Sequence, residues 1–271
     1  MTRPRNLPLR AVGALALSSA LMTAGCATDS GETETTGGYD LVTEGKLTTC
    51  THLPYAPFQL ERSGKVVGFD VDMVDLVAKE LGVKQEIVDT PFEGIKSGAD
   101  LKTGKCDIAA AAMTITPERQ KAMAFSDPYF AATQSLVTKK GSGLDGFDAM
   151  KGKKLAVQSG TTGEIYAKEH AEPKGVTLVT FEDLGTELSA LQSGQVDAAI
   201  NDFPVLTNWL ETHQGYEIST QFDTGENYGF GMAKGRDDKL VATVDKVLAR
   251  AKKDGTYDEI YRKWFGEAPP K

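Results

Sequence analysis

The chain has 271 residues, 25% charged and 40% hydrophobic, enough for one or two globular domains with sizeable cores. Its formal net charge of -8 excludes nucleic acid as a partner, because binding phosphate needs a basic face.

The chain opens on what reads as a leader. Arg3, Arg5 and Arg10 give a positive start, and residues 11–22 are apolar but too few to span a bilayer. Thr23, Ala24 and Gly25 then precede Cys26. The arrangement is similar to a bacterial lipoprotein signal, with residues 1–25 removed and Cys26 lipidated. Thr23 stands where Leu or Val is usual, and an ordinary secretory signal with a chance cysteine is the other reading. Residues 26–40 are rich in Thr, Gly, Asp and Glu and show no apolar periodicity, which predicts a flexible tether.

The stretch KLTTCTHL, starting at Lys46, alternates and is β-branched, so it predicts a strand. GFDVDMVDLVAKELG, starting at Gly68, predicts an amphipathic helix. Met73, Leu76, Val77 and Leu81 share its apolar stripe, Asp70 is placed to cap its start and Gly82 to end it. Asp70, Asp72 and Asp75 have the spacing of a calcium loop but lack the glycine such a loop needs, so no metal is expected.

Two later segments echo each other. FEGIKSGADLKTGKCDIAAAA begins at Phe92 and FEDLGTELSALQSGQVDAAIN at Phe181. Gly104 matches Gly194 and Asp107 matches Asp197. Each copy reads as a helix followed by a buried strand, which predicts two α/β lobes of similar plan. Lobe 1 is expected over residues 41–133 and 226–271, lobe 2 over 134–225, with the terminal helices returning to lobe 1. Ligands bind at the carboxyl ends of strands in such sheets. That rule brings residues 112–119 opposite Asn201 and Asp202. The fork of Arg119 matches a carboxylate, and Asp202 can accept from an ammonium group. A molecule carrying both groups on neighbouring atoms is an α-amino acid. A solvated Arg119 and a helix-capping Asp202 are the alternative that spacing leaves open.

Five motifs in order then carry a resemblance: YAPF from Tyr55, GFDVDM from Gly68, MTITPERQKAMAFSDPY from Met113, AVQSGTTGEIYA from Ala156 and DGTYDEIYRKWFG from Asp254. Residues 41–268 resemble the family 3 extracellular solute-binding proteins, the polar amino acid receptors of ABC importers. The resemblance implies an α/β, two-lobe periplasmic-binding-protein type II fold, each lobe a mostly parallel sheet flanked by helices, joined by two hinge strands near Ala131–Gln134 and Gly225–Tyr228. It implies a monomer without cofactor or metal at the extracytoplasmic face of the membrane, anchored through Cys26, that delivers its ligand to a permease. Carried over by position, Arg119 clamps the ligand carboxylate with the hydroxyl and amide of Thr114 and the amide of Thr162. Asp202 and the Ala112 carbonyl bind the ammonium. Tyr55 and Phe92 pack on the aliphatic part, and Ala111, Gln158 and Asn201 line the pocket. His52 departs from the family, where aspartate is common. It removes a negative charge and can donate a hydrogen bond, so an acidic or neutral polar side chain is expected in place of a basic one; a structural histidine at the strand end is the other reading.

The cysteines suit export. With Cys26 lipidated, Cys50 and Cys106 remain as an even pair on strands expected to be neighbours, which predicts a disulfide over two free core thiols. An enzyme is the reading from a different class. Proteins resembling cyclohexadienyl dehydratases share this fold, and Cys50 and His52 lie two apart on one strand as an imaginable dyad. A receptor for a non-standard amino acid or opine is the remaining alternative.

Overall fold

The computed structural model describes residues 38–270, so the leader, Cys26 and most of the expected tether lie outside the described residues. Strand β1 (Lys46–Thr51) leads to a hairpin of β2 (Leu60–Arg62) and β3 (Lys65–Val67). Helix α1 (Phe69–Leu81), β4 (Lys84–Asp89), the short helices α2 (Phe92–Lys96) and α3 (Ala99–Lys102), β5 (Ile108–Ala109), α4 (Pro117–Ala122) and β6 (Ala124–Phe125) follow. The long β7 (Phe130–Lys139) leads into β8 (Lys154–Gln158), α5 (Thr162–His170), β9 (Thr177–Phe181), α6 (Leu184–Ser193), β10 (Ala198–Asp202), α7 (Phe203–Leu210) and a second long strand, β11 (Tyr216–Tyr228). β12 (Gly231–Met232), α8 (Asp238–Asp254) and α9 (Thr256–Phe265) complete the described elements.

These strands form two five-stranded sheets, ordered β4-β1-β5-β12-β6 and β11-β7-β10-β8-β9. Each sheet is mixed. The parallel pairs β1–β4, β1–β5, β10–β8 and β8–β9 come from the echoed α/β units. The antiparallel pairs come from β12 in one sheet and from β7 in the other. β7 and β11 run side by side, with Phe130 opposite Tyr228, Ala131 opposite Asn227 and Ala132 opposite Glu226. The two segments expected to hinge are therefore paired backbone to backbone.

Helix α1 buries Met73, Val77 and Leu81, and Gly82 closes it in the left-handed conformation. Its N-cap is Gly68, where a Cβ would lie 1.9 Å from the Phe58 carbonyl oxygen. Only glycine permits that approach, which sets the helix start against the Tyr55–Gln59 turn. Asp70 does not cap the helix, contrary to expectation, because its carboxylate turns inward. The echo is structural. Asp107 accepts the Thr48 N–H and Asp197 accepts the Lys154 N–H, both at 2.8 Å, so each pins the start of a neighbouring parallel strand.

Helices α8 and α9 return to α1. Lys246 and Arg250 bond Glu80 at 2.9 and 2.7 Å, and Lys263 bonds Asp72 at 2.6 Å. The feet of the crossing strands stand in an aromatic core: Phe130 stacks on Tyr228 at 5.5 Å and meets Phe265 of α9 at 5.2 Å. Tyr39 and Asp40, assigned to the tether, are held on the body. Tyr39 Oη lies 2.9 Å from Thr243 Oγ1, and the Asp40 N–H reaches Asp237 at 3.0 Å. No helix among the described residues is long and apolar enough to cross a membrane.

Cys50 and Cys106 are bonded to each other, and both are fully buried. The link spans 56 residues of sequence. Chain-entropy arguments give such a loop about 4 kcal/mol of stabilisation. Denaturant titration with and without a thiol reductant should differ by about that amount, and two free thiols in the unreduced mature protein would contradict the assignment.

Candidate ligand-binding cleft

A cavity of about 20 Å³ lies where the carboxyl ends of the two sheets meet. Ala111, Ala112, Thr114 and Arg119 line it from lobe 1, together with His52, Tyr55 and Phe92. Gln158, Thr162 and Asp202 line it from lobe 2. Asn201, expected in the lining, lies one layer deeper. Its amide donates to Glu187 at 2.8 Å and to Gln158 Oε1 at 3.4 Å. Burial pushes the Glu187 carboxyl well above its ordinary range, against the hydrogen bond from Asn201.

Arg119 sits in a short helix begun by the Thr116 cap and Pro117. It is 7% exposed. One terminal nitrogen donates to the Thr114 carbonyl at 2.8 Å, and the other to the Gly160 carbonyl of lobe 2 at 3.2 Å. The guanidinium carbon lies 5.4 Å from the centre of the Phe92 ring. Both side-chain hydrogen bonds go to neutral carbonyls, and among the described residues no carboxylate forms an ion pair with it. Burial lowers its pKa, while the charges of Asp202 and Glu226 oppose the shift.

Asp202 ends β10 and precedes α7, but its carboxylate makes no capping bond. It accepts instead from Tyr55 Oη at 2.8 Å, from Tyr228 Oη and from the Gln134 amide. Burial, and then the nearby charge of Glu226, raises its pKa to about 6 against those three hydrogen bonds. Tyr55 was expected only to pack on a ligand. Its hydroxyl also bridges the lobes, reaching Asn201 Oδ1 at 2.6 Å.

Glu226 went unnoticed in the sequence. It lies on β11 where β11 pairs with β7. One of its oxygens accepts from Thr114 Oγ1 at 2.6 Å and from Thr162 Oγ1 at 2.7 Å, one hydroxyl from each lobe. The other accepts from Gln134 at 3.1 Å and Thr224 at 2.9 Å. Both threonine hydroxyls thereby direct their hydrogens at Glu226 and keep lone pairs for other partners. In this arrangement the Thr114 hydroxyl has spent its hydrogen on Glu226. Strand alternation was the available signal, since Thr224, Glu226 and Tyr228 share one face of β11.

Ala112 holds a left-handed backbone, φ 46°, unusual for a residue with a Cβ. Its N–H donates to Asp70 at 2.7 Å, and the other Asp70 oxygen accepts from Tyr129 Oη at 2.7 Å. Asp70 is the brace beneath the turn that carries Ala112 to the cleft. In lobe 2, Thr162 begins α5 and Thr161 caps it, accepting the Glu164 N–H at 3.1 Å. The positive end of that helix is directed at the cavity.

Residues 47–267 match the family model described as bacterial extracellular solute-binding proteins, family 3. The chain belongs to that family. It is 36% identical over 212 residues to the ABC transporter glutamine-binding protein GlnH of Bacillus subtilis, covering 76% of each chain. Among solved structures, an ancestral arginine-binding protein bound to arginine superposes with a TM-score of 0.77 at 41% identity, covering 82% of this chain and 99% of the other. The ancestral amino acid-binding protein AncCDT-1, a precursor of cyclohexadienyl dehydratase, does so at 0.74 and 40%, covering 82% and 95%. The imagined Cys50–His52 dyad has no free thiol here, since Cys50 is in the disulfide.

Burial raises the Asp70 pKa from 3.8 to about 7, against the bonds from Ala112 and Tyr129. The folded state then holds a proton that the unfolded chain has released between these values. Asp70 should therefore erode stability as pH rises from about 4 to about 7, and Asp70→Asn should flatten that part of the stability–pH curve. Chemical denaturation across the window checks it, and an unchanged slope in the variant would contradict the assignment.

Proposed function

We propose that the protein is the extracytoplasmic substrate-binding component of an ABC importer and takes a polar α-amino acid into the cleft between its lobes. The observation that carries the reading is Arg119, a buried guanidinium without a carboxylate partner, lining the same cavity as a buried aspartate on the other lobe. The ligand carboxylate completes Arg119, helped by backbone amides at the start of α5. The ammonium meets Asp202, the Ala112 carbonyl and the Thr114 lone pair. Relatives named for glutamine and arginine binding support this chemistry.

A cavity of about 20 Å³ holds roughly one water, so an amino acid enters only when the lobes part. Arg119–Gly160, Tyr55–Asn201 and Thr162–Glu226 are contacts that opening would break. The paired segments at Ala131–Gln134 and Gly225–Tyr228 are the hinges. Ligand contacts from both lobes favour closure, the form a permease would read. The protein acts as a receptor without turnover, as a monomer tethered through lipidated Cys26.

Arg119→Lys should stay folded but bind about 2–4 kcal/mol more weakly, roughly 30- to 1,000-fold, because the planar fork is lost. Calorimetry with the best amino acid from a thermal-shift screen measures it, and near-parental affinity would remove Arg119 from the site. Asp202 binds an ammonium in its ionised form, and its pKa stands at about 6 in the structure. Affinity should therefore rise with pH up to about 6 and level off above it, falling about tenfold per unit on the acid side. An affinity that is flat from pH 5 to pH 7 in Asp202-intact protein would contradict that role.

A further inference from the structure

His52 lies at the end of β1, and its imidazole orientation is fixed by chemistry. Nδ1 sits 3.0 Å from the Thr90 carbonyl oxygen, which can only accept, so Nδ1 carries the hydrogen. A neutral His52 therefore keeps a lone pair on Nε2, and that atom is buried without a partner. Gln59 is oriented by the same argument. Its amide nitrogen donates to the His52 carbonyl at 3.4 Å, which leaves Oε1 buried and unpartnered. Gln59 is 1% exposed, and both side chains line the cavity.

We infer that His52 Nε2 and Gln59 Oε1 form a two-acceptor subsite that selects amino acids whose side chains end in N–H donors: carboxamide, guanidino or imidazole. The inference rests on the amino acid reading of the cleft and narrows it. It keeps the neutral polar part of the expectation drawn from sequence, as a carboxamide, but rejects the acidic part and admits a guanidino group. Buried acceptors reject an ionised carboxylate, which brings only acceptors of its own, and they gain from any N–H that fills them. Gln59 Oε1 accepts whatever the protonation state of His52. On the lobe 2 side, Gln158 spends its oxygen on Asn201 and keeps its NH₂ as a donor. A carboxamide tip would therefore find a partner for its oxygen as well as for its nitrogen.

The isosteric pair L-glutamine and L-glutamate isolates the effect. Calorimetry in mildly alkaline buffer, with L-arginine and L-norvaline alongside, should give glutamine or arginine at least about 30-fold tighter binding than glutamate. In His52→Leu combined with Gln59→Leu, the ratio of glutamine to glutamate affinity should shrink to within about threefold. Should the double variant not fold, Gln59→Glu keeps the acceptor and adds charge, and it should shift preference from glutamine towards arginine. Glutamate binding as tightly as glutamine, or a ratio untouched by both sets of substitutions, overturns the inference and leaves the amino acid reading standing. If none of the four ligands binds, both readings fall together.

Discussion

A guanidinium taken out of water without a carboxylate beside it is an expensive thing to build, and the cleft is organised around one. Arg119 is held by two carbonyls and faces an aromatic ring, so it keeps its charge but lacks a counterion within bonding distance. In the function proposed above, a ligand carboxylate supplies what is missing. Much of the binding free energy then comes from completing an arrangement the fold has already strained to set up, with little reorganisation at the moment of binding. Across the cavity, Asp202 and Glu226 share the Gln134 amide, and all their other side-chain partners are neutral hydroxyls. Arg119 and Asp202 thus stand on opposite lobes, with Glu226 on the strand that crosses between them.

That division is tied to the hinge. Glu226 belongs to the strand that crosses between lobes, yet one of its oxygens bonds a threonine from each. Within lobe 2, Gly163 leaves room for the Gln134 side chain that donates to Glu226, since a Cβ there would lie 2.8 Å from the Gln134 side-chain oxygen. The crossing strands in turn stand on the stacked rings of Phe130 and Tyr228, and the Tyr228 hydroxyl bonds Asp202. The contacts between lobes, the hydrogen bonding of Asp202 and the aromatic core therefore meet in one residue pair, Tyr228 and Glu226, two positions apart on one face of β11.

The plan of the fold was legible because periodicity and glycine placement are local signals. The α1 stripe, the left-handed Gly104 and Gly194, and the paired aspartates that follow them could all be read from spacing. So could the meeting of residues 112–119 with Asp202, which the strand-end rule places without coordinates. What stayed hidden depends on where a side chain turns. Asp70 looked like a helix cap and is a brace under Ala112. Glu226 drew no notice in the sequence, yet it accepts a threonine hydroxyl from each lobe. Tyr55 was legible as an aromatic wall but not as a donor to Asp202. The direction of the His52 hydrogen bond follows from a carbonyl thirty-eight residues away in sequence, which spacing alone cannot supply.

The most direct measurement changes the ligand and leaves the protein alone. The best-binding amino acid and its α-carboxamide differ only in the group that Arg119 is built to receive. Calorimetry on the unmodified protein should show the amide bound at least about 30-fold more weakly, since a charge-assisted pair is replaced by a neutral contact and the buried guanidinium stays unpaired. An amide that binds as tightly as the free amino acid would contradict the account, because Arg119 would then not be the group that holds the ligand.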